Sequence, residues 1–326
     1  MANLPLYQRL FGLRDNPFNP TQLPTGGATK SPMAMLATGP LLLHHDPLLE
    51  QLYSPKAGPF EKIDQDFLTL LELDNYTIDP PAAGKQSHIV MIMGSDGTGK
   101  TTLASSLIRW VTSCTPSSGG GWYVEMAWPL QYYASSAAQR DALKNARAQI
   151  DDRSPEYLCL FADNFLADVE YDLLNMFDEL VANRVVFLFM IPHPAYTDYH
   201  ILDENHLIHP YNTRELSPDE AALFVNDRIT SYRVTTPSIA SYPLFPFDET
   251  NLRESVIAGD ITAGTTSGKI TIRQLNKILN NVMRERAKGL LSTNKTFDIS
   301  VAPATEIDRH VIDLTHALRE LEGMVA

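Results

Sequence analysis

The chain has 326 residues, 44% hydrophobic and 20% charged, with a formal net charge of −13. That length can bury one large core or two smaller ones, and the mix is that of a soluble globular protein. The acidic balance excludes a chain whose overall field would wrap nucleic acid, and no apolar run approaches the roughly 20 residues that cross a bilayer. The two cysteines, Cys114 and Cys159, have no motif spacing, which points to a reduced, cytoplasmic chain.

The opening MANLPLYQRLFGLRDNPF has no basic start followed by an apolar core, so no secretory signal is expected. Residues 1–60 are rich in Pro and Gly and read as an extended N-terminal arm with little regular structure. LLLHHDPLLEQLY holds a short helix, and the adjacent side chains of His44, His45 and Asp46 diverge too far for a metal site. Ile63, Phe67, Leu70 and Leu71 recur at i, i+4, i+7 and i+8, which predicts an amphipathic helix over 61–73.

HIVMIM (88–93) reads as a buried strand, and LASSLIRWV further on as a helix. SCTPSSGGG is a break, WYVEMAW (122–128) a second strand, and 129–152 a helix with Pro129 near its start. EYLCLFADNFL is an apolar strand ending at Asp163, 168–184 a helix, RVVFLFMI (184–191) a further buried strand, and HLIHPYNTREL contains a fifth. Strands alternating with helices predict a parallel sheet with helices on both faces over 61–216.

From residue 217 the pattern is all helical. Ser217-Pro218-Asp219-Glu220 is a capping box with Pro at the first helical position. Ala221, Phe224, Val225 and Ile229 line one face of the helix it starts. A proline-rich loop leads to a helix over 249–258. Leu275, Ile278, Leu279, Val282 and Met283 stripe a long helix expected to stop at Gly289. Ile307, Val311, Leu314, Leu318 and Leu321 repeat at 4-3-4-3 spacing, which predicts a last helix docked on the same protein.

Between the first strand and its helix lies Gly94-Ser95-Asp96-Gly97-Thr98-Gly99-Lys100-Thr101-Thr102, a full match to G-x-x-x-x-G-K-[ST] in the strand–loop–helix context that motif requires. Glycines let backbone N–H groups curl around phosphate oxygens, and the helix N-terminus adds its partial positive charge. Lys100 is assigned to the β- and γ-phosphates and the Thr101 hydroxyl to Mg²⁺. Asp163, expected at the end of a strand beside the phosphate-loop strand, is the second Mg²⁺ partner. Asn164 stands where many ATPases have a glutamate that polarises the attacking water, and an amide is not a base, so either hydrolysis is slow or another group takes over. His193 follows the fourth strand and is placed to sense or orient the γ-phosphate. Gly264-Thr265-Thr266-Ser267-Gly268-Lys269 has one residue too few between its glycines and no apolar strand before it, so it is not a second phosphate loop.

This layout resembles AAA+ ATPases of the origin-recognition, secretion and transposition branch, with the signal-transduction (STAND) ATPases as neighbours. FGLRDNPFNPT (11–21) is similar to that branch's N-terminal segment, GSDGTGKTT to its Walker A and LCLFADN to a variant Walker B. RELSPDEAALFVNDRI with FPFDETNLRESV resembles the start of its helical lid, and ITIRQLNKILNNVMRERA its sensor 2 helix, with Arg273 at the sensor arginine. The resemblance spans about residues 11–288. It implies a P-loop NTPase three-layer sandwich with a parallel five-stranded sheet, followed by a small all-helical lid domain. It further implies ATP rather than GTP, with Pro17 and Phe18 near the adenine and Arg273 reaching the γ-phosphate from the lid.

Two departures bear on function. Asn164 replaces the Glu. No Arg or Lys lies between His193 and His206, where an arginine finger is expected, leaving Arg184 or Arg214 to substitute. The 37 residues after Gly289 are too few for the branch's winged-helix domain, so sequence-specific DNA binding is not expected. Two readings remain open. One is an ATP-dependent switch or assembly factor with slow Mg²⁺-dependent hydrolysis. The other is a catalytically weak, ATP-bound adaptor or filament subunit. Either works through a protein partner or a homo-oligomer. A P-loop kinase fits less well, since nothing offers an acceptor site.

Overall fold

A computed structural model describes residues 5–18, 77–78, 87–113, 115–116, 122–125, 135–193, 208–234, 244–258, 268–293, 298–299, 302, 304–314 and 316–317. They cluster into two units, one of residues 29–214 and one joining 1–28 to 215–326. The helix expected over 61–73, the His44–Asp46 cluster and Cys114 lie outside the described residues.

In the first unit, β1 (His88–Met93), β2 (Trp122–Glu125), β3 (Tyr157–Phe165), β4 (Val185–Pro192) and β5 (Ile208–Asn212) form one sheet in the order β2-β3-β4-β1-β5. Every neighbouring pair is parallel. β4 is buried along its whole length and β1 along all but its last residue, because helices cover both faces of a parallel sheet. Alternate residues Ile89, Met91, Leu158, Leu160, Val186 and Leu188 share one core with α3 (Ser136–Arg153) and α4 (Glu170–Val181). Strand side chains alternate in direction, so Val90, Phe187 and Phe189, all buried, face the other side. There α2 (Lys100–Ser113) packs with buried Leu103, Leu107, Ile108 and Val111. The result is a three-layer sandwich. A separate two-residue parallel pair joins Thr77–Ile78 to Thr115–Pro116.

Several boundaries differ from the sequence expectation for local reasons. α3 starts at Ser136, where the Ser135 hydroxyl accepts from the Ala138 N–H and caps it; Pro129, expected near the start of this helix, lies outside the described residues. The 168–184 helix begins as a 3-10 turn at Ala167–Val169 and ends at Val181.

The second unit is helical: α1 (Leu6–Phe11), α5 (Pro218–Tyr232), α6 (Glu249–Ala258), α7 (Ile272–Thr293) and α8 (Ala304–Asp308). α1 is a helix where an extended arm was expected, closed by Gly12 in the left-handed region at φ 67°. The segment after it is tied to this unit. Leu13 pairs antiparallel with Arg233, and Arg233 donates to the Phe11 and Phe245 carbonyls at 2.9 and 2.6 Å. Burial lowers the Arg233 pKa to about 10, which still leaves it charged at neutral pH. The Ser217–Glu220 capping box forms with both arms in place. Thr271 and Gln274 make the same reciprocal cap at the start of α7.

α7 does not stop at Gly289 but runs on to Thr293. Gly289 is exposed with open space around its Cβ position, and nothing there forces the chain out of the helix. The C-terminal 4-3-4-3 stripe does not make one helix. α8 closes at His310, whose N–H donates to the Ile307 carbonyl at 2.8 Å. Ile312 then pairs with Phe247 as a bridge, and the Leu314 N–H donates to Asn251 Oδ1 at 2.6 Å. Those cross-links to the 244–251 segment replace the helical bonds that a continuous turn would need.

Candidate functional site

The loop between β1 and α2 turns on three glycines with positive φ: Gly94 at 138°, Gly97 at 82° and Gly99 at 95°. Those conformations suit residues without a Cβ. Ser95 and Asp96 are exposed, Gly97 and Gly99 half-buried, and Thr102 lies in the first turn of α2. Lys100, 9% exposed, folds its ammonium back to donate to the Gly94 and Ser95 carbonyls at 2.9 and 2.8 Å. Gly94 has a second reason to be glycine. A Cβ there would meet the Thr213 hydroxyl at 2.3 Å and its carbonyl oxygen at 2.4 Å.

Thr213, directly after β5, was not anticipated. Its N–H and hydroxyl both reach the Met93 carbonyl, at 2.8 and 3.0 Å. Its hydroxyl also contacts the buried Thr98 hydroxyl at 2.7 Å, and Thr98 Oγ1 donates to the Ser95 carbonyl at 2.8 Å. The two hydroxyl protons make two hydrogen bonds at a time among these three close contacts, and the network braces the phosphate loop against the neighbouring strand. Knowing that β5 lies beside β1 would have exposed Thr213, but strand order is not written in local periodicity.

Asp163 comes to the loop by a different route from the one expected. Its strand β3 is not beside β1, since β4 lies between them. The contact is made instead by α2, whose Thr101 hydroxyl donates to Asp163 Oδ2 at 3.0 Å. Asn164 follows in the left-handed region at φ 65°, in a bulge where Asp163 pairs with Ile191 and Phe165 with Pro192. Asparagine is among the few residues with a side chain that enter this region readily, so the backbone alone accounts for an Asn here. His193 leaves β4, the intervening strand, and its N–H donates to the Phe165 carbonyl at 2.9 Å.

Burial raises the Asp163 carboxyl from 3.8 to about 6. The Thr101 hydrogen bond and the Lys100 charge pull the other way, and the Asp96 charge adds to the rise. The folded chain therefore keeps this proton to a higher pH than the unfolded chain does. Stability from this group falls as pH rises from about 4 to 6 and stays lower above, by up to about 3 kcal/mol at roughly 1.36 kcal/mol per unit. Asp163→Asn is expected to stabilise the nucleotide-free protein by about 1–3 kcal/mol at pH 8 and to change little at pH 4. Urea unfolding at the two pH values reads this; an equal effect at both would contradict a buried, raised carboxyl.

Arg184, one of the two finger candidates, precedes β4 at the amino edge of the sheet and pairs with Asp151 at 3.4 Å. The loop and Asp163 belong to the carboxyl edge, so Arg184 lies at the opposite edge of the sheet from this chain's own loop. Arg214 is exposed. Arg273 is exposed in the first turn of α7, in the other unit. Pro17 and Phe18 are buried in that same unit. The Pro17 carbonyl accepts from Arg228 Nη1 at 2.9 Å, and the Phe18 ring meets Phe247 edge-on at 5.9 Å. Lys269 is exposed, beside Gly268 at φ 81°.

A hydroxyl and a carboxylate at hydrogen-bond distance are a hard-oxygen pair of the kind Mg²⁺ takes. The positive-φ glycines and the Lys100 ammonium beside them suit a polyphosphate. The residues present therefore fit a magnesium–nucleotide complex. Among the described residues no cluster of three or more His, Cys, Asp and Glu side chains offers a separate metal site, and no helix is long and apolar enough to cross a membrane.

No family model and no curated protein sequence matches the chain. Its structure is similar to that of C. elegans PCH-2, with TM-score 0.54 at 11% identity over 84% of this chain and 73% of that one. It is also similar to the Thermotoga maritima RuvB Holliday junction branch migration motor, with TM-score 0.45 at 13% identity over 80% and 68%. A third similar structure is Cdc6p from Pyrobaculum aerophilum, with TM-score 0.43 at 15% identity over 81% and 71%. The chain has the AAA+ P-loop ATPase fold.

Proposed function

We propose that this protein is an ATP-binding switch or assembly factor with slow, Mg²⁺-dependent ATP hydrolysis. The observation that carries the reading is the 3.0 Å bond from Thr101 to Asp163 at the foot of a loop whose lysine reaches its own carbonyls. Those side chains come from separate elements, α2 and β3, and converge beside the loop.

In this reading Gly94–Thr102 cradles the phosphates, and Lys100 leaves its two carbonyl partners to take the β- and γ-oxygens. Thr101 and Asp163 hold Mg²⁺, which would neutralise phosphate charge when bound. His193 attends the γ-phosphate from the end of β4. Arg273 is assigned to sensing the γ-phosphate, and Pro17 and Phe18 to the adenine. A contact made only with the γ-phosphate biases the protein between its ATP and ADP forms. Residues 217–326 act as the lid, the partner is another protein or a second copy of the chain, and the setting is the cytoplasm.

Asn164 favours a second reading, an ATP-bound adaptor or filament subunit with almost no turnover, because an amide supplies no base. Asn164→Glu tests whether the amide limits turnover. It adds the base but sets a glutamate at φ 65°, at a cost of about 1 kcal/mol. The expected result is a modest loss of stability with faster phosphate release. Unchanged release from a folded variant would mean that another group already positions the water or that position 164 is not aimed at it. For the wild-type chain, light scattering with phosphate detection in the same samples tests the reading. ATP-dependent assembly with turnover supports the switch, and tight binding without release supports the adaptor. No nucleotide binding at all would end both.

A further inference from the structure

We infer that Gln139 is a positioning residue for the magnesium side of this site: it clamps the turn that carries Asp163 and Asn164 and so sets where the Asp163 carboxylate stands. The inference rests on the proposed reading of Asp163 as a magnesium partner.

Gln139 sits in the first turn of α3 and is 1% exposed. A buried amide needs partners for both of its ends. Its oxygen accepts from the Leu166 N–H at 3.0 Å, and its nitrogen donates to the Asn164 carbonyl at 3.4 Å. The two partners fix the amide's orientation, because an N–H demands the oxygen and a carbonyl demands the nitrogen. They also straddle the bulge. Asn164 has left the strand conformation at φ 65°, and Leu166 lies one residue beyond the end of β3.

Neighbouring groups on α3 grip the chain from Asp168 onward. Arg140 donates to the Asp168 carbonyl at 2.6 Å and to Asp172 at 2.8 Å, and Ser136 donates to Asp168 at 3.2 Å. Those contacts are exposed or half-buried at the surface, where such bonds contribute little. Of the three side chains, Gln139 is the buried one, and it acts on the residues next to Asp163. On the other side, the His193 N–H holds the Phe165 carbonyl at 2.9 Å. The turn is thus pinned from β4 through the backbone and from α3 through a side chain. The register is unbroken up to Asp163 and shifts only after it, so loss of the side chain frees the Asn164 peptide that directly follows Asp163 and lets the carboxylate drift from its place beside Thr101.

The test uses the full chain, with Gln139→Met, which keeps length and burial but removes both hydrogen bonds. Two quantities are measured: ATP affinity in EDTA, and Mn²⁺ affinity of the ATP complex by electron paramagnetic resonance. Support for outer residues around a metal ligand typically shifts metal affinity by about 10-fold or more. The expected split is a roughly 10-fold loss of Mn²⁺ affinity with metal-free ATP affinity within about 2-fold of wild type. Arg140→Ala, which loosens only the surface grip, is expected to leave both unchanged. Equal losses of metal and nucleotide affinity, or none in a folded Gln139→Met chain, would overturn the inference.

Amide exchange in the nucleotide-free wild type gives a reading that needs no variant. The Leu166 amide should exchange as slowly as the amides inside β3; fast exchange there overturns the clamp. A wild-type chain that binds no ATP, or binds it as well after Lys100→Ala, would overturn the proposed function and this inference together. ATP and Mn²⁺ binding that depends on Lys100 but is indifferent to Gln139 would overturn the inference alone.

Discussion

Gly94→Ala is expected to destabilise the nucleotide-free protein by about 2–5 kcal/mol and to abolish ATP binding. The added methyl would stand 2.3 Å from the Thr213 hydroxyl and 2.4 Å from the Thr213 carbonyl oxygen. The first of these is the end of a side chain, but that side chain is held to Met93 and Thr98. The second is backbone, bonded at its own N–H to Met93, and cannot step aside without parting the β1–β5 register that ends at Met93 and Asn212. The backbone at φ 138° adds strain of its own for a residue with a Cβ. Denaturant unfolding gives the stability and a fluorescent nucleotide gives the binding. A variant that lost ATP binding with full stability would mean that the loop moves off Thr213 freely and that the brace is weak.

Lys100→Ala is expected to weaken ATP binding by about 10–100-fold, the loss of one or two charge-assisted bonds at roughly 1.5–3 kcal/mol. Its effect on folding should be small, because the Gly94 and Ser95 carbonyls to which Lys100 donates belong to an open loop, where water can take the ammonium's place. Lys100→Met separates charge from packing. It keeps the stem that fills this 9%-exposed position and should lose binding as fully as the alanine variant. Calorimetry with ATP reads both. Wild-type affinity in either variant would remove the loop from the site.

The loop and the sheet were legible in the sequence because their signals are local. Five apolar residues between His88 and Gly94 read as a buried strand, and the Gly-Lys-Thr spacing dictates what the next turn presents. The Ser217–Glu220 box marked its helix for the same reason. Contacts set by strand order were not legible. Asp163 was expected on a strand next to β1, yet β4 intervenes, and it is Thr101 on α2 that spans the gap. Thr213 and Gln139 carried no local signal at all, as each acts on backbone more than 20 residues away.

Asn164 was read as a missing base. The positive φ and the bulge give it a backbone role that periodicity could not reveal. The C-terminal stripe misled in the opposite sense. Its spacing is helical, but the pairing of Ile312 with Phe247 holds the chain out of a helix between α8 and Leu314, an instance of tertiary contacts overriding local pattern.

In the proposed function the β1–α2 loop and Asp163 together bind magnesium-ATP. Equilibrium titration of the full wild-type chain with ATP, in Mg²⁺ and again in EDTA, tests it most directly. The expected result is one saturable site per chain that tightens with Mg²⁺. No saturable binding in either condition, or binding wholly indifferent to the metal, would contradict it.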